Sequence, residues 1–140
     1  MRVEVPFEIV KLEENSYHLF VECIVNGNQK GDLVIDTGAS KTVLDGDFLQ
    51  DFQDVDIDQQ EIQSSGLGGG VIDTQMVKIE SLQIGELQVQ EILLARIDLS
   101  SINKMYEKYC QRRICGLLGS DFLLEHGACI DYSRGIMSMG

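Results

Sequence analysis

The residues best suited to chemistry in this chain are Asp36-Thr37-Gly38. Leu33-Val34-Ile35 precedes them and reads as a buried strand, being apolar throughout with two β-branched members. Gly38 permits a tight turn at its end. An acidic side chain is thus set at the mouth of a strand, where an isolated buried charge is costly. The cost becomes tolerable when a second carboxylate shares the proton and nearby backbone N–H groups donate to the pair. Such a pair can activate water: the charged member acts as general base, while the protonated one supports charge developing on a carbonyl oxygen. The competing reading is an ordinary strand-to-turn aspartate. The apolar run before Asp36 and Ala39-Ser40 after it favour the chemical one. Asp73-Thr74-Gln75 echoes the triplet but has glutamine where the glycine is needed. A second carboxylate must therefore come from another copy of the chain, which predicts a homodimer.

The rest of the sequence narrows the classes of function. At 140 residues the length suits one domain spanning 1–140 with a sizeable core. The net charge of −12 disfavours nucleic acid and anionic membrane surfaces, which need lysine and arginine. No signal peptide or membrane-spanning apolar run is read in the sequence, and a cytoplasmic location is expected. Cys23, Cys110, Cys115 and Cys129 lack metal or redox spacing. They read as reduced thiols, with Cys23 and Cys129 packed on strands as small hydrophobes. His18 and His126 have no ligand spacing and read as surface residues, so neither a metal nor a cofactor is expected. No Gly-x-Ser-x-Gly is present, and no cysteine has a convincing histidine partner, so nucleophilic hydrolysis has little support. Gly66-Leu67-Gly68-Gly69-Gly70 holds more glycine than a tight turn needs. It lacks the following helix and Gly-Lys-Ser/Thr of a phosphate cradle, and reads instead as a mobile hairpin tip.

The elements that position these residues are mostly strands. Phe7–Leu12 and Tyr17–Val25 alternate apolar and polar residues, and Asn26-Gly27 is a hairpin signal leading back towards Asp36. Pro6 belongs near the edge of the first strand. Thr42–Leu44, Val71–Ile84 and Val89–Leu94 read as further strands, with a turn at Ile84–Leu87. Asp45 is a candidate cap for a short helix around Asp47–Phe52, and Asp51–Gln60 reads as an exposed connection. Ile102, Met105, Tyr106, Tyr109 and Cys110 fall at helical spacing behind a serine cap, which predicts one amphipathic helix with these residues in the core. Ile114–Gly119 reads as an apolar strand, followed by a Ser120-capped short helix in which Asp121 is a first-turn carboxylate favoured by the helix dipole. Ala128–Tyr132 and Ile136–Met139 read as a C-terminal hairpin.

Asp36-Thr37-Gly38-Ala39 resembles the D-[TS]-G-[AS] signature of aspartic peptidases. Leu117-Leu118-Gly119 is similar to the apolar-apolar-glycine segment that crosses behind the catalytic turn in that family. Gly119-Ser120-Asp121-Phe122-Leu123 resembles the bacterial and eukaryotic retropepsin-like subgroup, and the glycine cluster stands where retroviral-type enzymes carry a flap. The resemblance covers most of the chain. It implies a mainly β fold, a retropepsin-like closed β-barrel (the acid-protease fold) with one or two short helices. It implies an aspartic endopeptidase acting on a peptide or protein substrate, with Asp36, Thr37 and Gly38 as catalytic residues. Ala39, Ser40, Gly66, Leu67, Gly68, Gly69 and Gly70 would contact substrate, and Thr37 would bond across the dimer. The alternative is an inactive dimerisation or peptide-binding module of the same fold. Two departures stand out: Leu99–Arg113 is longer than its retroviral counterpart, and the C-terminal hairpin need not form the interleaved terminal sheet of retroviral dimers.

Overall fold

The computed structural model describes residues 2–55 and 74–140. The expected hairpin tip at Gly66–Gly70 and the Asp73 echo lie outside the described residues. In chain order the strands are β1 (Val3–Pro6), β2 (Glu8–Lys11), β3 (Tyr17–Val25), β4 (Gln29–Ile35), β5 (Val43–Asp45), β6 (Gln53–Asp54), β7 (Gln75–Ile84) and β8 (Leu87–Ile97). Helix α1 (Ser100–Cys110), β9 (Gly116–Leu118), helix α2 (Ser120–Glu125), β10 (Cys129–Asp131) and β11 (Ile136–Met139) follow.

Strands β3, β4, β9, β5, β8 and β7 pair in that order, and β3 pairs back onto β7 through Ile24↔Gln83 and Val25↔Leu82. The result is a closed β-barrel, as the resemblance implies, here of six strands, with two helices among the described residues. Asn26 and Gly27 have φ of 53° and 75°, both left-handed, within the three-residue connection 26–28 that joins Val25 to its partner Gln29. A separate three-stranded sheet has the order β1-β11-β10, so β11 is paired on both edges. Pro6 ends β1 at the rim of this sheet, opposite Ile136.

Alternation along β4 divides its side chains between two apolar clusters. Leu33 and Ile35 enter the main core with Leu44, Leu118 and Met137, whereas Val34 faces a second cluster containing Phe20, Val43, Tyr106 and Ile114. Parallel β9 lies against β4, with Leu33↔Gly116, Val34↔Leu117 and Ile35↔Leu118 in register. Only glycine fits at 116, because a Cβ there would come within 2.2 Å of the Val43 carbonyl oxygen. The fully buried Leu33 and Leu118 each contribute about 1.5–3 kcal/mol to holding β4 against β9.

Several local expectations are corrected by longer-range partners. Residues 46–48 form a turn instead of a helix. The Asp45 carboxylate is buried and accepts the Leu99 N–H through Oδ1, so it is not free to cap a helix after it. Ser100 and Ser120 are the first helical residues instead of caps; Leu99 and Gly119 hold the cap positions, and the Asp98 carboxylate accepts the Ser100 N–H. Of the apolar residues on α1, Tyr106 is buried, but Met105 and Tyr109 are exposed. Cys129 is exposed on β10, whereas Cys23 is buried with its Sγ 3.6 Å from that of Cys115. Among the described residues no helix is long and apolar enough to cross a membrane.

Candidate active site

Asp36 leaves β4 with its backbone fixed on both sides. Its N–H donates to the Leu118 carbonyl at 3.0 Å, and its own carbonyl accepts the Ala39 N–H at 3.1 Å. Its Oδ1 accepts the Gly38 N–H at 3.0 Å, so the turn supplies the carboxylate with a backbone donor. A Cβ on Gly38 would stand 3.4 Å from this same oxygen. Asp36 is half-buried, while Thr37, Gly38 and Ser40 are exposed. Ala39 is buried, with its carbonyl accepting the Ser120 N–H at 2.7 Å. The predicted residues 36–40 therefore form one turn presented at the surface, anchored from beneath by Ala39.

That anchor involves residues sequence reasoning did not assign to the site. Thr42 is 1% exposed. Its hydroxyl donates to Asp121 Oδ1 at 2.8 Å and accepts the Gly119 N–H at 3.0 Å. The Thr42 N–H donates to the same Asp121 oxygen at 2.9 Å, and so does the Phe122 N–H at 2.8 Å. Asp121 is thus a first-turn carboxylate, as the sequence predicts, and it also clamps the segment after Ser40 to helix α2. Gly119 allows the close approach, since a Cβ would lie 2.6 Å from the Lys41 carbonyl group. The signal in the sequence was the run Gly119-Ser120-Asp121, which names the clamp but not its partner 79 positions away.

Two further residues meet beside the apolar cluster of Phe20 and Val34. Tyr106, from α1, packs edge-on against Phe20 with ring centroids 5.3 Å apart. Burial first, and the charge of Asp36 second, push its hydroxyl up to about 12. His18, expected at the surface, is half-buried with Nδ1 2.7 Å from the Tyr106 hydroxyl. His126 is also half-buried, its ring 4.4 Å from that of Phe122. A cavity of about 400 Å³, lined by Glu22, Cys23, Gly31, Asp32 and Gly85 among others, does not include Asp36 in its lining. Among the described residues no cluster of three or more His, Cys, Asp or Glu is arranged to hold a metal ion.

The model of the aspartyl protease family matches residues 21–122, more than half of the chain and inclusive of the Asp36 turn and the Thr42–Asp121 clamp. The chain belongs to the aspartyl protease family. Its fold is similar to that of a retropepsin-like aspartic protease from Rickettsia conorii (17% identity, 99% of this chain and 90% of that one, TM-score 0.50). It is also similar to the retroviral protease-like domain of Ddi1 from Leishmania major (14% identity, 87% of each chain, TM-score 0.50). A third similar structure is the EIAV protease complexed with the inhibitor HBY-793 (14% identity, 83% of this chain and 93% of that one, TM-score 0.51). No curated protein sequence matches the chain. At these identities the structural likeness shows the retropepsin-like fold, and the family membership is what ties the Asp36 turn to aspartyl protease sequences.

Proposed function

We propose that this member of the aspartyl protease family is an aspartic endopeptidase, one domain per chain, working as a homodimer on peptide or protein substrates. The observation that carries the reading is the Asp36 turn. Its carboxylate stands half-buried at the end of a core strand, takes the Gly38 N–H on Oδ1, and is flanked by exposed Thr37 and Ser40. In the proposed dimer two Asp36 carboxylates share one proton across a two-fold axis, because both cannot ionise at contact distance. The ionised member takes a proton from a water between them as that water attacks the peptide carbonyl carbon. The protonated member donates to the carbonyl oxygen; the tetrahedral intermediate then collapses as the Asp36 that took the water's proton delivers it to the departing amine nitrogen and the other Asp36 recovers a proton from the intermediate's hydroxyl, leaving the carboxylic acid and the amine. Thr37, exposed beside Asp36, bonds across the axis. Ala39, Ser40 and the glycine-rich stretch Gly66–Gly70 border the peptide. The four free thiols, Cys23, Cys110, Cys115 and Cys129, fit the reducing, cytoplasmic setting included in the proposal.

The test is Asp36→Asn. The expected result is loss of at least about 10³-fold in peptide hydrolysis, the scale on which acid–base partners act, with an unchanged circular dichroism spectrum. Undiminished hydrolysis by the pure variant refutes the mechanism. Binding of a statine peptide to the parent, with no hydrolysis of any peptide, favours the inactive peptide-binding module.

A further inference from the structure

Cys23 and Cys115 touch in the core, and nothing in the proposed chemistry uses them. Their sulfurs are 3.6 Å apart although the residues stand 92 positions apart in the chain, and both residues are buried. A glycine makes the contact possible. Cys23 on β3 pairs with Gly31 on β4. Strand β9, which Cys115 leads into, lies on the far side of β4. The Cys115 side chain therefore reaches Cys23 by crossing over the middle strand at Gly31. A Cβ at position 31 would come within 2.6 Å of the Cys115 sulfur and 2.8 Å of its Cβ, so the absence of a side chain there leaves the room the two thiols occupy.

The backbone around the pair is held from several sides. The Cys115 N–H donates to the Asp32 carbonyl, and the Cys115 carbonyl accepts the Asp45 N–H, each at 2.8 Å. One residue earlier, the buried Asn103 side chain accepts the Ile114 N–H at 2.7 Å and donates to the Ile114 carbonyl at 3.0 Å. A disulfide needs its sulfurs at about 2.05 Å. The remaining approach of about 1.5 Å can come from rotation about the two Cα–Cβ bonds, with the backbone left in place. The other two thiols are differently placed: Cys110 donates to the Tyr106 carbonyl at 3.1 Å, and Cys129 is exposed on β10.

We propose that Cys23 and Cys115 form an oxidative modification site, a latent disulfide that a hydroperoxide closes across β4, the strand that leads to Asp36. Cys23, which helps to line the cavity of about 400 Å³, reacts first. Its sulfur attacks one peroxide oxygen and the O–O bond breaks. The released hydroxide or alkoxide takes the thiol proton, leaving Cys23 as a sulfenic acid. The Cys115 sulfur then attacks the Cys23 sulfur, the S–O bond breaks, and hydroxide leaves as water with the Cys115 proton. Two thiols are oxidised for one hydroperoxide reduced, and a dithiol reductant reverses the change. A hydrogen bond with Cys23, and then burial, push the Cys115 thiol up, so the pair stays reduced until oxidant is abundant. The closed bond ties β3 to the start of β9, and β9 supplies the Leu118 carbonyl that holds the Asp36 N–H. Oxidation thereby braces the seat of the Asp36 turn, whether or not the endopeptidase reading holds.

The experiment treats the full chain with hydrogen peroxide, once folded and once in urea, then quenches, alkylates under denaturing conditions and maps the peptides by mass. In the folded sample the peptides holding Cys23 and Cys115 are expected to be joined, with the loss of two hydrogens, and to separate on treatment with dithiothreitol. This map needs no variant. A Cys110→Ser/Cys129→Ser protein, which keeps only the buried pair, should melt about 10 °C higher oxidised than reduced, the shift that closing so long a loop implies. Adding Cys23→Ser to that protein should remove the difference. Recovery of Cys23 and Cys115 as alkylated thiols from the folded, peroxide-treated chain overturns the proposal. So does a link that forms only in urea, or a linked protein that melts no higher than the reduced one.

Discussion

Replacing Thr42 by valine removes one oxygen and keeps the shape, so the consequence can be worked from the hydrogen bonds. The Thr42 N–H donates to Asp121 Oδ1 and the Thr42 carbonyl accepts the Ala95 N–H at 3.1 Å; both use only the backbone of residue 42 and survive. The hydroxyl's bond to the Asp121 carboxylate is lost, a contact of about 1.5–3 kcal/mol because the acceptor is ionised. The Gly119 N–H loses its acceptor in a buried setting, at about 1–3 kcal/mol. Relaxation and the extra apolar contact of the new methyl offset part of this, leaving a net loss of about 3 kcal/mol against a total stability of about 5–15 kcal/mol. For a chain of this length that corresponds to about 10 °C in Tm. Thr42→Ser keeps both hydroxyl bonds and loses one buried methyl, at about 1 kcal/mol. Urea denaturation and thermal melts of the three proteins measure both quantities. Thr42→Val within 1 kcal/mol of the parent, or less damaging than Thr42→Ser, refutes the claim that this hydroxyl anchors the Asp36 turn to α2.

Three further outcomes are expected. Gly116→Ala should lower stability by about 3 kcal/mol or more, or abolish soluble expression, because its Cβ would meet the Val43 carbonyl oxygen at 2.2 Å; a melt unchanged from the parent contradicts the close β5–β9 approach. In the native state Tyr106 holds its proton up to about 12, against 10.0 for a free tyrosine, so the unfolded chain ionises first and stability drains away as pH rises from about 10 to about 12. Tyr106→Phe lacks this component, and urea titrations at pH 9 and pH 11 showing equal pH slopes for parent and variant count against it. Specific activity should fall on dilution in step with the dimer fraction measured by sedimentation, and full activity in a sample shown to be monomeric removes the two-subunit site.

What the sequence made legible was the part that local chemistry decides. Tyr17–Val25 is a strand with those same bounds, because alternation and the Asn26-Gly27 turn act within a few residues. The strand-to-turn geometry of Asp36 follows from the apolar run and the glycine. Where a distant group competes, the local signal loses. Asp45 looks like a helix cap, yet its carboxylate answers the Leu99 N–H, 54 positions away. Met105 and Tyr109 keep helical spacing with Tyr106, but α1 touches the sheet along a narrower stripe than the sequence pattern suggests, and only Tyr106 among the three is buried. The same reasoning that treats a lone histidine as a surface residue misses His18, whose partner lies on an element that composition alone does not place beside it. The Thr42–Asp121–Gly119 clamp was half legible for the same cause: Gly119-Ser120-Asp121 stands out in the sequence, but its partner Thr42, 79 positions from Asp121, does not.

The C-terminal sheet constrains how two such chains can meet. In β1-β11-β10 the middle strand is saturated: Val3–Pro6 pairs along one edge of β11 and Cys129–Asp131 along the other. A terminal sheet interleaved between subunits, the retroviral feature that the C-terminal hairpin need not form, would need β11 to give up one of these neighbours. Releasing β1 alone would break a four-residue ladder and uncover Val5, Met137 and Met139, which are 4%, 0% and 0% exposed. At about 1.5–3 kcal/mol for each buried side chain, that loss reaches a large share of the stability of a domain this size. A proposed dimer that leaves the sheet intact would have the outer edge of β10 for the second copy, where Cys129 is exposed and no strand pairs among the described residues. Strand β10 follows α2, and α2 is clamped to the Asp36 turn through Asp121 and Thr42. In the proposed dimer an interface at β10 would therefore be linked to the Asp36 turn by a short, hydrogen-bonded path, so that the contact joining two chains would also set the position of the carboxylate each contributes.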